Sequence, residues 1–292
     1  MTATPPAPQQ TGYAGILWLL ADMSLISMMG ALVKWQGGTY SAPQLVFLRA
    51  VAGALIIAPM IWTHRAEILS LPVIRSNMMR VACNGLALAC SFAALASLPL
   101  AVVSASNYAR PIVLLALAAL LLNERIPARR WWSSLLALCG VALVIGPAAT
   151  APGAPLPLSG LAAAGGAIIF GVLAVILMRQ LVDQALGTLM VFYTLGLGVI
   201  FAVPAALLWQ PVRPADWPVL ILIGALAQLG QLCFLRAHRL AQANQLAPWG
   251  YISVIFATMI GILVFDEIPT ALQVLGLTIV LASVLVAQRR QE

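Results

Sequence analysis

Charge is scarce in this chain: 15 Lys and Arg and 8 Asp and Glu among 292 residues, 8% in all. A soluble globular domain carries about 25%, so there is no room for a sizeable soluble domain. Lysine occurs once, at Lys34, and no Gly-x-x-x-x-Gly-Lys loop exists to cradle nucleotide phosphates, which excludes ATP-driven work by that route. The four cysteines (Cys83, Cys90, Cys139, Cys233) lie inside apolar runs without Cys-x-x-Cys spacing and read as packing residues, with no metal or redox cofactor implied. The stretch Met1–Thr11 has no basic side chain and carries Pro5, Pro6 and Pro8, unlike a secretory signal. His64 and His238 stand at the ends of apolar runs with no serine and carboxylate suitably spaced around them, so the chain is not expected to be an enzyme. The net charge of +7 sits between apolar runs and reports orientation rather than nucleic acid.

What the chain has instead is apolar length. Hydrophobic residues make up 62% and the mean hydropathy is +1.01. A bilayer core needs roughly 20 apolar residues per helix, and the runs divide into spans at 13–34, 43–62, 74–96, 100–122, 131–147, 158–179, 187–209, 216–237, 243–265 and 270–288. Continuous Leu/Ala-rich runs favour helices over the alternating strands of a β-barrel. The fold class is therefore an all-α polytopic membrane protein with ten transmembrane helices, a cytoplasmic N-terminal tail (1–12) and C-terminal tail (289–292). With the N-terminus inside, Arg65, Arg75, Arg80, Arg125, Arg129, Arg130, Arg179, Arg236, Arg239, Arg289 and Arg290 fall on the cytoplasmic side and only Lys34 and Arg213 outside. That eleven-to-two bias follows the positive-inside rule, and the expected location is a bacterial inner membrane.

The chain also resembles itself. At an offset of 145, Gly15 pairs with Gly160, Lys34 with Arg179, Phe47 with Phe192, Gly53 with Gly198 and Pro59 with Pro204. At 142, Phe92 pairs with Phe234, Leu98 with Leu240 and Ile126-Pro127 with Ile268-Pro269. The two halves, 13–147 and 158–288, hold five spans each. Five is odd, so the second half enters the membrane from the opposite side, the inverted repeat of secondary transporters, built around a central cavity.

Phe47-Leu48-Arg49, Ser97-Leu98-Pro99-Leu100-Ala101, Arg110-Pro111-Ile112 and Leu122-Asn123-Glu124-Arg125 resemble the ordered motifs of the EamA-type branch of the drug/metabolite transporter superfamily. Ala247-Pro248-Trp249-Gly250-Tyr251 and Phe265-Asp266-Glu267-Ile268-Pro269 resemble those of its second half. The resemblance implies ten helices in two inverted five-helix repeats, and export of amino acids, drugs or metabolites, with bacterial aromatic amino-acid exporters as the most similar type. The chain departs from the family pattern at Asn123 and Asp266, which stand where a glycine is usual, and at Ala21-Asp22, near the usual Trp-Gly pair.

Asp22, about nine residues into span one, and Arg110, about ten into span four, are expected near the midplane, where an unpaired charge is costly. They are candidates for the substrate's amine and carboxylate, and for pairing with each other in at least one state. Arg49 reads as structural, able to snorkel; Glu124 and Glu267 read as helix anchors. Asn84 shares a face of span three with Asn77, Arg80 and Ser91; Asn107 and Tyr108 lie in span four, Gln228 and Gln231 in span eight, Trp249 and Tyr251 in span nine. Each amide alone would be interhelical glue; together they predict one polar cavity walled by Trp18, Tyr108, Trp249 and Tyr251. Pro59 and Pro204, at equivalent depths, are candidate kinks for gating. Spans five and ten carry no intramembrane charge and read as scaffold or dimer surface, leaving a monomer or homodimer open.

The expected function is secondary transport by alternating access, moving a small amphipathic metabolite outward through the lipid bilayer, most simply an amino acid with an apolar or aromatic side chain. The alternatives are export of cationic drugs, uptake or exchange of a nucleoside-like metabolite, or a non-transporting membrane scaffold.

Overall fold

In lipid a backbone must satisfy its own amides, so long apolar runs become helices. The computed structural model describes residues 10–36, 39–63, 70–98, 106–121, 126–149, 157–181, 183–265 and 270–288, and among them there is no strand. In chain order the helices are α1 (Gln10–Gln36), α2 (Ala42–Ile56), α3 (Ala58–Thr63), α4 (Leu71–Ser97), α5 (Arg110–Leu121) and α6 (Ala128–Ala149). The second half supplies α7 (Leu158–Gln180), α8 (Leu186–Leu207), α9 (Trp217–Leu240), α10 (Ala243–Leu246), α11 (Ser253–Phe265) and α12 (Ala271–Gln288). A 3-10 turn, Pro214–Asp216, leads into α9, and another, Ala247–Ile252, joins α10 to α11.

Among the described residues, five stretches are long and apolar enough to cross a bilayer: Tyr13–Val33, Leu158–Gln180, Leu186–Leu207, Pro214–Leu240 and Ala243–Val264. The surface shows why they must. Leu55, Leu120, Val199, Leu207 and Leu263 are all more than 70% exposed, while Gln44, Asn77, Arg80, Thr194, Gln228 and Asn244 are buried. Apolar outside and polar inside is the distribution of a multi-pass membrane protein.

Three expected spans are interrupted, span four by a turn at Tyr108 and Ala109 just before α5. Span two breaks at Ile57, between α2 and α3, because Pro59 has no N–H to continue the ladder. Pro204, which follows Pro59 at the offset of 145, lies inside the unbroken α8, three residues from its end. Span nine is divided into α10, the 3-10 turn and α11, with Pro248 in the turn. The tails 1–9 and 289–292, the start of span four (99–105), Glu124 and Glu267 lie outside the described residues.

α1 packs along α9, α4 along α7, α2 along α8, α6 along α12, and α5 against the Ala243–Ile252 segment. Each pair joins the first half to the second. Taking α2 with α3, and α10 with α11, as single units, shifting every unit by five places returns the same set of pairs. Close approach depends on small residues: a Cβ added at Gly224 of α9 would lie 2.5 Å from the Ala52 Cβ on α2.

Polar contacts close the bundle at two ends. At one, Tyr40 and Gln44 reach the segment 210–216, with the Gln44 amide donating to the Gln210 carbonyl (2.6 Å) and accepting from the Gln210 N–H (3.0 Å). At the other, Asn77 donates to the Gln184 side chain (2.7 Å), Arg239 to the Gln184 carbonyl, and Arg179 to the carbonyls of His238 and Ala241.

Candidate functional site

Between these closures the helices leave a cavity of about 330 Å³, within the range that holds a small organic ligand. Asp22 comes to it from the middle of α1, Arg49 from α2, Arg80 and Asn84 from α4, and Arg110 from the start of α5. Tyr193 of α8 and Gln231 of α9 complete the polar lining; Ile26, Met178 and Phe234 supply apolar wall. Glycine makes space for two of the charges. A Cβ at Gly230 would stand 3.2 Å from an Asp22 carboxylate oxygen, and one at Gly171 would stand 3.3 Å from the Arg110 guanidinium carbon.

The polar groups are incompletely satisfied. Arg80, 1% exposed, donates to the Leu189 carbonyl (2.5 Å), yet its Nε has no partner among the described residues. The Nε of Arg110 is likewise buried without a partner. Among the described residues Arg49 reaches the sulfur of Met29, at 3.9 Å. Tyr193 lines the same space as Arg80 and Arg110. Three guanidinium groups and one carboxylate thus face one space. A buried polar group without a partner costs free energy, and an anionic or amphoteric ligand would supply the missing acceptors.

A second, smaller compartment of about 150 Å³ adjoins it and shares Arg110, Gly171, Val175 and Phe234. Its remaining wall is Leu19, Met23, Pro111, Leu114, Val172, Leu246, Ala247 and Gly250, with His238. Apart from Arg110 and His238 this annex is apolar. The arrangement is a charged chamber and an oily one on either side of a shared wall that includes Arg110.

The EamA-like transporter family model matches residues 13–146 and again 158–288. The chain belongs to the EamA-like transporter family. A pseudopaline exporter of Pseudomonas aeruginosa (strain UCBPP-PA14) is 28% identical over 283 residues, covering 96% of this chain and 97% of its own. An S-adenosylmethionine uptake transporter of Rickettsia bellii (strain RML369-C) is 21% identical over 277 residues, 93% of this chain and 92% of its own. A solved crystal structure superposes with a TM-score of 0.81 over 95% of this chain and 98% of its own at 16% identity, a shared fold.

In this EamA-like chain the structure brings four of the sequence-derived site residues together: Asp22, Asn84, Arg110 and Gln231 all line the charged chamber. Asp22 and Arg110 share it without forming an ion pair. Gln228, three residues before Gln231, turns aside to donate to the Thr194 hydroxyl (2.8 Å). Trp18 and Trp249 pack together with Leu19, Met23 and Leu246, behind the annex rather than in it, and the Arg236 guanidinium lies 4.6 Å over the Trp18 ring. Tyr251 is fully buried against Ala137, Val141, Val254 and Val280, with Tyr108 packed on that cluster. Asn107 lies just before α5 and does not line the chamber. Neither Pro59 nor Pro204 lines it.

Three further residues line the chamber: Arg49, expected to be structural, Arg80, expected on the cytoplasmic side, and Tyr193. An arginine within an apolar run is a functional candidate by default, and Arg49 carried that signal inside Phe47-Leu48-Arg49. Arg80 shared a helical face with Asn84, but its distance from the start of α4 made it look like a cytoplasmic-end residue. Tyr193 had no signal in the sequence, because one tyrosine in an apolar helix is indistinguishable from packing.

Proposed function

We propose that this transporter is a secondary exporter of small amphoteric metabolites, amino acids with apolar or aromatic side chains being the simplest, working by alternating access between two inverted five-helix halves. The carrying observation is the pair of joined compartments. The chamber offers cations for a carboxylate and Asp22 for an amine, and the annex beyond Arg110 offers an apolar wall for a side chain. Helix pairing that is unchanged under a five-place shift supports two equivalent halves, as rocking about a central site requires. The charge bias of the connecting segments supports both termini in the cytoplasm of a bacterial inner membrane. A cationic cargo fits poorly beside three guanidinium groups.

Counterflow tests this reading. Proteoliposomes of the purified protein, preloaded with unlabelled phenylalanine, should accumulate labelled phenylalanine faster than empty vesicles or vesicles preloaded with a quaternary amine. Accumulation driven only by the quaternary amine would replace amino-acid transport with cation transport.

A further inference from the structure

We infer that the cargo carries at least two carboxylate groups, an inference that rests on the transport reading above and narrows its substrate class. Arg49, Arg80 and Arg110 keep their charge at any accessible pH, since a guanidinium does not deprotonate in proteins. Asp22 supplies at most one negative charge. The chamber therefore holds an excess of at least two positive charges within an apolar bundle, where uncompensated charge is costly. Among the described residues no second carboxylate lines it. The buried, unpartnered Nε atoms of Arg80 and Arg110 are donors awaiting acceptors.

A guanidinium fits a carboxylate through two parallel hydrogen bonds, so three of them on separate helices favour carboxylates distributed over a ligand rather than one terminal group. The chamber's 330 Å³ leaves space for such a ligand with its amine toward Asp22 and its apolar part past Arg110 into the annex. A simple monocarboxylate amino acid, whose ammonium cancels its one carboxylate, would leave both excess positive charges unanswered. It remains a cargo, but a weaker one than its polycarboxylate counterpart.

The clean comparison changes carboxylates and nothing else. Phenylalanine, N-(carboxymethyl)phenylalanine and N,N-bis(carboxymethyl)phenylalanine keep one ring and one nitrogen while adding carboxylates singly. Each is used unlabelled to compete with labelled phenylalanine counterflow, in chloride and in gluconate buffers. The expected result is a tenfold or larger fall in half-inhibitory concentration for the first added carboxylate. Arg80→Gln and Arg110→Gln should erase that preference, read as the ratio of half-inhibitory concentrations, with folding checked separately by melting temperature. Equal or weaker competition by the dicarboxylate, with phenylalanine still exchanging, overturns this inference and leaves the transport reading standing. Phenylalanine exchange that fails in gluconate, without a gain for the dicarboxylate, assigns the excess charge to bound chloride and also overturns it. No exchange of any of the three compounds overturns both.

Discussion

Tyr40 donates a 2.6 Å hydrogen bond to the Asp216 carboxylate while its oxygen accepts one from the Arg213 N–H at 3.1 Å, tying the turn after α1 to the entry of α9. With the Gln44–Gln210 pair and the Ser41 hydroxyl donating to the Leu208 carbonyl (3.1 Å), it shuts that end of the bundle. Under the proposed alternating access, cargo leaving at this end would have to break these bonds. Tyr40→Phe removes the phenol and leaves Asp216 without its donor, at a cost of roughly 1.5–3 kcal/mol for a hydrogen bond to a charged group. We expect the melting temperature to fall and a single cysteine at position 44 to label faster in the variant. Burial of the Tyr40 ring, joined by the bond to Asp216, holds the phenol above its ordinary value of 10.0. The folded state therefore binds this proton more tightly, and the contribution is full below about pH 10 and lost as pH rises past it. Labelling at position 44 should then show no Tyr40-dependent change from pH 7 to 9.

Orientation decides which side that closure faces. The proposed orientation, from the positive-inside bias, has Arg65, Arg125 and Arg236 in the cytoplasm and Arg213 outside, so the Tyr40 closure would be the outer one. After the four native cysteines are replaced, a cysteine at 213 should react with an impermeant reagent in intact cells and one at 125 should not. Reaction at 125 from outside would reverse the topology and take the inverted repeat with it.

How much of this was legible beforehand follows from what a sequence can carry. Apolar length and charge bias are local properties, so α1, α4 and α6 to α9 appear close to their expected bounds. Asp22 and Arg110 were legible for the same reason: a charge within an apolar run is conspicuous wherever the neighbouring helices lie. Direction around a helix is not local. Gln228 and Gln231 differ by three residues, yet one faces Thr194 and the other the chamber, because Gly53 leaves room for the Gln228 amide on α2's side. Trp249 and Tyr251 were legible as large aromatics in a polar neighbourhood. Their walls were set by the break in span nine, where the 3-10 turn Ala247–Ile252 directs Tyr251 to α6 and α12.

Asp22 and Arg110 line one chamber without touching, alongside two further arginines. The two single neutralisations should therefore differ. Asp22→Asn removes the only carboxylate lining the chamber among the described residues and deepens the charge imbalance; Arg110→Gln lessens it. Unit charges roughly 8 Å apart at an effective dielectric of about 20 interact by about 2 kcal/mol, so a shift of several degrees in opposite directions is the expected scale. Both should slow transport. The double variant should melt near the wild-type temperature. Strong positive coupling, with both single variants equally destabilised, would instead place the two residues in direct contact in the dominant state.

Gly171 sets a second opposition of signs. Replacing a helix-interior glycine by alanine commonly stabilises by up to about 1 kcal/mol. At this site the new Cβ would stand 3.3 Å from the guanidinium carbon of Arg110, between the chamber and the annex. Gly171→Ala should therefore leave the melting temperature unchanged or slightly raised while weakening cargo binding severalfold, read as the half-saturating concentration in counterflow. Gly165 of the same helix, with open space where its Cβ would go, is the control. Gly165→Ala should share the stability effect and leave binding alone.

The last expectation separates cargo recognition from packing among the aromatics. Phe234 lines both compartments and lies tilted, 4.2 Å centroid to centroid, against His238, which also lines the annex. Trp249 packs with Trp18 and Leu246 behind that wall. Truncating either ring removes a large apolar surface, at roughly 3–5 kcal/mol if the site does not collapse. Only the Phe234 surface faces a place where a cargo side chain would lie. Phe234→Ala should thus weaken competition by phenylalanine more than by alanine, whereas Trp249→Ala should lower activity and melting temperature without changing their ratio. The measurement is that ratio of half-inhibitory concentrations, which loss of folded protein does not alter. A ratio shifted by Trp249→Ala and not by Phe234→Ala would move the side-chain site out of the annex and back to the tryptophan.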